Sequence, residues 1–146
     1  MLKEKNYEKL KDLLPRYLAE NTERWAHWIQ RLMQKKILNY FIEIIPKDTP
    51  RLQLKLYTKI FEHFMELKDY ASFKKALIVF PPYLINQDYL IEVLKREIEK
   101  DKELAHDENL LESLFELHQM NRDYQTAFHI LVKMKSRKVY EFLKRV

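Results

Sequence analysis

The chain contains no glycine and no cysteine, and no apolar run approaches the roughly 18 residues that would suggest a membrane span. The missing glycine excludes the most, since a chain of this length ordinarily holds about ten. Glycine serves positive-φ turns, bulges and the close approach of backbone to phosphate. Without it, hairpin-rich β folds, a dinucleotide-binding fingerprint and a P-loop all lose their footing, and the all-α class remains. The absence of cysteine removes disulfides, thiolate zinc sites and cysteine nucleophiles, and is compatible with the cytosol. The opening M-L-K-E-K-N-Y-E-K-L lacks the apolar centre of a secretion signal. It reads as a helix starting mid-pattern, so residues 1–146 are expected to be a single segment of a longer chain.

What is present suits a helical domain able to bury roughly 70% of its unfolded surface. The net charge of +5 is concentrated at one end. Residues 133–146 hold six bases (Lys133, Lys135, Arg137, Lys138, Lys144, Arg145) against Glu141, which leaves 21 bases and 21 acids in the preceding 132 residues. A nucleic-acid binder usually carries a basic stripe across its folded body. This body is neutral.

The organising stretch runs from Pro50 to Pro82. Tyr57, Ile60, Phe61, Phe64 and Leu67 recur at helical spacing; Tyr70, Phe73, Ala76, Leu77 and Phe80 repeat the pattern, and Pro81-Pro82 stops it. Leu54, Leu56, Met65, Ala71, Ile78 and Val79 lie off that stripe, so the hairpin is predicted to need neighbours on both sides. Asp48 or Thr49 is predicted to cap its first helix, with Pro50 in the first turn. Upstream, Leu2, Tyr7, Leu10, Leu13 and Leu14 predict a helix over 2–14, restarted after Pro15 by a short turn of helix over 16–20. Asn21 or Thr22 caps a helix to about Gln34, with Trp25, Trp28, Ile29 and Leu32 on one face. A helix over 37–45, apolar nearly all round, ends at Pro46. Downstream, Asn86 caps a helix to about Asp101 with Tyr89, Leu90, Val93, Leu94 and Ile98 inward. Asp107 opens a helix through Leu110, Leu111, Leu114, Phe115 and Leu117, and residues 124–134 return antiparallel to it. Ser136 starts a last helix with Val139, Tyr140, Phe142 and Leu143.

An internal repeat runs through this order. Asn6-Tyr7, Asp69-Tyr70 and Asp123-Tyr124 are each followed by apolar residues three and seven positions after the tyrosine. This is the start of the second helix in a tetratricopeptide-like unit, with tyrosine wedged into the turn. The separations, 63 and 54 residues, are too long and unequal for a regular array of about 34 residues per repeat. The expected architecture is a right-handed α-solenoid of antiparallel helix hairpins, degenerate and tetratricopeptide-like or clathrin-heavy-chain-repeat-like.

The chemistry-bearing residues form no constellation. His27, His63, His106, His118 and His129 fit no ligand pattern, and His63 with Glu66 supplies two groups where zinc needs three or four. Glu62/Glu66 and Glu112/Glu116 stand one helical turn apart and read as solvated-face residues. Trp25/Trp28 and Tyr57/Phe61/Phe64 could stack nucleobases, but at helical spacing they read as core. No catalytic residue, cofactor, metal or small-molecule substrate is expected.

Several stretches in order resemble the α-solenoid of the vacuolar protein sorting subunit forty-one family, from the HOPS membrane-tethering complex. N-T-E-R-W-A-H-W-I-Q-R-L-M-Q-K-K-I-L-N-Y-F-I-E-I-I-P is similar to that family's tryptophan-bearing helix and the short one after it. In the central hairpin Tyr57, Phe64, Asp69-Tyr70, Phe73, Pro81, Leu84 and Asn86 carry the resemblance, which continues through Leu114, Leu117, Tyr124, Ala127 and Leu131. It implies a non-catalytic scaffold in endosome-to-lysosome or vacuole trafficking and membrane fusion. The chain would be cytoplasmic and peripheral on late endosome and lysosome membranes. Its partners would be other tethering-complex subunits, with a Rab GTPase or SNARE machinery engaged through the full-length protein. Candidate docking residues lie at the basic end: Lys135, Arg137, Lys138, Tyr140, Lys144 and Arg145. The alternative is an RNA-binding helical-repeat protein, supported by the positive charge and the aromatic content and opposed by the neutral body and uneven repeat.

Overall fold

A computed structural model describes residues 4–134 and Lys144. Among these residues the chain is all-α. Its helices are α1 (Glu4–Leu18), α2 (Thr22–Gln34), α3 (Leu54–Glu66), α4 (Tyr70–Val79), α5 (Gln87–Lys100), α6 (Glu108–Met120) and α7 (Tyr124–Met134). Single 3₁₀ turns at Leu38–Tyr40, Ile42–Ile44, Pro82–Leu84 and Lys102–His106 join them.

Helix starts follow the side chains that can accept an orphan backbone N–H. Asn21 accepts from Arg24 N at 3.1 Å, Asp69 from Ser72 N at 3.1 Å, Asn86 from Tyr89 N at 3.4 Å, Asp107 from Leu110 N at 3.1 Å and Asp123 from Thr126 N at 3.2 Å. Helix ends show what the missing glycine entails. Lys36, Lys68 and Arg122 take the left-handed conformation at φ 59°, 55° and 59°. Each is followed by a residue whose N–H reaches back to close a Schellman turn: Ile37 to Leu32 O at 3.0 Å, Asp69 to Phe64 O at 2.9 Å, and Asp123 to His118 O at 2.8 Å. Ala19, at φ 46°, makes the α1–α2 corner, and Trp25 Nε1 donates to its carbonyl at 2.9 Å.

Five expectations give way here. Pro15 lies inside α1 rather than ending it. Leu14 and Leu18 are buried on either side of it, and burial at ~1.5–3 kcal/mol each offsets about 3 kcal/mol for an interior proline. Leu13 faces solvent. The segment 37–45 forms two 3₁₀ turns instead of one α-helix. Its β-branched Ile37, Ile42, Ile44 and Ile45 lose side-chain freedom in an α-helix, and no side chain caps its start. Neither Asp48 nor Thr49 caps α3, which starts after Gln53 with no side-chain cap; Thr49–Pro50 is a cis peptide in the preceding loop. Asn6 lies within the helical backbone of α1, so the first member of the Asx-Tyr repeat is not a helix start. Leu2 and the helix proposed from Ser136 fall outside the described residues.

The helices stack as hairpins: α3 packs on α4, α4 on α6, and α5 and α7 on α6. One apolar seam runs from Leu14 through to Leu131. At its centre Phe61 meets Phe73 at 5.0 Å and Phe80 at 5.9 Å edge to face, and Tyr57 meets Phe80 at 5.3 Å. Of the off-stripe residues in the central hairpin, Leu56 and Met65 are buried and Val79 packs against the seam, while Leu54, Ala71 and Ile78 face solvent. Tyr89 is likewise exposed, and Ile91 is buried in α5 in its place. Glu112 departs most from expectation. It is buried, and its carboxylate accepts from Lys74 Nζ of α4.

Candidate docking surfaces

Two kinds of surface could serve a stack of this kind: its ends and its side grooves. Of the basic-end candidates, Lys144 is exposed, whereas Lys135, Arg137, Lys138, Tyr140 and Arg145 lie outside the described residues. A second candidate is a concavity on the side of the stack. Along α3, Leu54, Lys55, Thr58, Lys59 and Glu62 form one helical strip. The strip faces Tyr83, Leu84, Ile85, Asn86 and Tyr89 from the 3₁₀ turn and the start of α5, across a trough of about 560 Å³.

Local chemistry fixes both walls. The loop before α3 is tied down by Asp48, which accepts from Arg51 Nη2 at 3.0 Å and from Tyr83 OH at 2.6 Å. The Arg51 guanidinium sits 5.0 Å over the Tyr83 ring. The Tyr83 hydrogen bond, then the one from Arg51, holds the Asp48 carboxyl below its ordinary range, and the same bond to Asp48 pushes the Tyr83 phenol up. Tyr57 OH donates to Pro46 O, and Leu52 N donates to Tyr57 OH at 3.4 Å. At the far end Tyr89 OH donates to Glu62 at 3.0 Å, raising the phenol's pKa.

The aromatic residues weighed as base-stacking platforms are core. Trp25, Tyr57, Phe61 and Phe64 are buried and Trp28 is half-buried, so the RNA reading draws no support from them. His63 and His118 have buried Nε2 atoms without hydrogen-bond partners, and burial lowers the pKa of both imidazoles. His118 Nδ1 lies 3.5 Å from Asp123 Oδ2. Among the described residues no three His, Asp or Glu side chains gather closely enough to hold a metal ion, and no helix is long and apolar enough to cross a membrane. The trough was invisible in the sequence because its walls lie roughly 30 residues apart along the chain. Only the exposed off-stripe Leu54 hinted at it.

The fold defines a class: tetratricopeptide-like stacks of antiparallel helices. The chain belongs to the family described as the Vps41 TPR-like region, matched over residues 1–146. It is 22% identical over 126 residues to the vacuolar protein sorting-associated protein 41 homologues of Mus musculus and Homo sapiens, covering 86% of this chain and 14% of each relative. The homologue of Arabidopsis thaliana is 22% identical over 149 residues, covering 99% of this chain and 15% of the relative. The chain thus spans about one seventh of the length of these relatives. No solved structure matches it.

Proposed function

We propose that this chain is a non-catalytic scaffold segment of a tethering-complex subunit acting in endosome-to-lysosome or vacuole trafficking. The family match along the entire stack carries the reading. The structure supports it physically: each hairpin covers the apolar flank of the next, so stiffness extends along the row and the exposed faces remain for partners. The partners would be other subunits of the tether, with Rab GTPases or SNAREs met through the full-length protein. The chain would then be held at late endosome and lysosome membranes peripherally, through its complex.

The test is co-purification of the tagged chain, alone and within its full-length parent, with the tether subunits of the same cell. Capture of at least one subunit by the chain alone is the expected outcome. Capture by the parent only, lost to none when this segment is replaced by an unrelated helical spacer, would overturn the scaffold role.

A further inference from the structure

We infer that the trough between α3 and α5 docks a short acidic segment of a partner protein carrying one bulky apolar anchor; this rests on the scaffold reading and specifies its ligand. Leu84 and Ile85 are nearly fully buried at 2% and 7% exposure, whereas Leu54 and Tyr83 stand 56% and 54% exposed beside them. Exposed large apolar side chains gathered around a concavity mark an interaction site, and about 560 Å³ lies within the roughly 300–1,000 Å³ of ordinary ligand pockets.

Charge decides what fits. Lys55 and Lys59 are exposed one turn apart on the rim, and neither takes part in the ion pairs found among the described residues. The trough's own carboxylate, Glu62, is engaged by Tyr89 OH at 3.0 Å, and the Asn86 side chain caps α5. Two ammonium groups against that one carboxylate leave the rim of the trough net positive. The lysines also border a smaller hollow that includes Glu23 of α2, without forming an ion pair to it. The complement is a segment with carboxylates about one helical turn apart flanking an apolar side chain that enters over Leu84. Membrane surfaces are usually recognised by clusters of four to eight bases, roughly, on an accessible face, and here two lysines edge a concavity. Proteins that stack nucleobases combine several open aromatic faces with a basic groove, and here Arg51 already occupies one face of the Tyr83 ring.

Fluorescence anisotropy on the purified 146-residue chain tests this with three labelled octapeptides. One is glutamate-rich around a central phenylalanine, one is lysine-rich around the same phenylalanine, and one is glutamate-rich around alanine. The first should bind, and the other two should bind about tenfold or more weakly, a difference of roughly 1.4 kcal/mol. Lys55→Glu with Lys59→Glu should abolish that preference, Lys55→Arg with Lys59→Arg should retain it, and Lys9→Glu on exposed α1 should leave it unchanged. Equal binding of the three peptides overturns the proposal. So does full affinity in the double glutamate variant, or preferential binding of phosphatidylserine vesicles or single-stranded RNA. Peptide discrimination absent with tether capture intact removes the trough alone; the reverse removes the scaffold assignment alone.

Discussion

The corner between α3 and α4 and the corner between α6 and α7 share a backbone and differ in what covers them. In both, a long basic side chain occupies the left-handed position, an N–H closes back on the preceding helix, and an aspartate caps the next. In both a tyrosine follows. Yet Tyr70 is 3% exposed and Tyr124 is 53% exposed. Tyr70 feels the charges of Glu97, Asp101 and Asp107 from the following α5 and the turn after it, whereas Tyr124 has no comparable cover among the described residues. The corner is thus a local device set by five or six residues. The burial of its tyrosine belongs to the next layer.

The sharpest way to break this comparison is to truncate both tyrosines. Tyr70→Ala should cost ~3 kcal/mol or more, and Tyr124→Ala within about 0.5 kcal/mol of nothing, read from urea midpoints. Equal losses would mean that the second corner is as covered as the first. The caps should behave alike instead: Asp69→Ala and Asp123→Ala should each lose about 1 kcal/mol, with Asp69 somewhat the larger because it also accepts from Ser72 Oγ at 2.6 Å. Acid acts on both hairpins through His63 and His118. Their folded pKa values lie below the ordinary 6.5 because burial disfavours the charged ring. The unfolded chain therefore takes up protons that the native state refuses. Stability should be complete above about pH 6.5 and fall as pH drops from there toward the folded values, and His118→Asn should flatten that slope in a pH series of urea melts. The smallest effect is a gain. Lys68→Gly and Arg122→Gly relieve a strained φ but loosen the unfolded chain, so each should stabilise by a few tenths to ~1 kcal/mol, visible as a higher Tm.

Much of this fold was legible because its signals are local. Asn21, Asn86, Asp107, Asp69 and Asp123 announce helix starts within three residues of themselves, and the periodic aromatics of α3 and α4 describe their own buried stripe. The readings that failed needed information from far away. Pro15 looks like a break in sequence because the burial of Leu18 at the α1–α2 corner leaves no mark on the neighbouring residues. Asp48 looked like a cap until Tyr83, 35 residues on, claimed its carboxylate. Glu112 looked solvated because its partner Lys74 stands 38 residues earlier. The trough is the extreme case. Nothing in the residues around Lys55 and Lys59 marks a groove, because its other wall is the turn at 82–84.

The pair between Lys74 and Glu112 has a consequence for how the rows line up. Apolar ridges and grooves on neighbouring helices repeat every turn, so two hairpins held only by oily contacts could slide by about 5.4 Å and still fit passably. A buried carboxylate paired across that contact opposes the slide, because one turn of slippage would carry it away from the Lys74 ammonium. The bond between α4 and α6 therefore acts as a notch that fixes where α4 sits along α6.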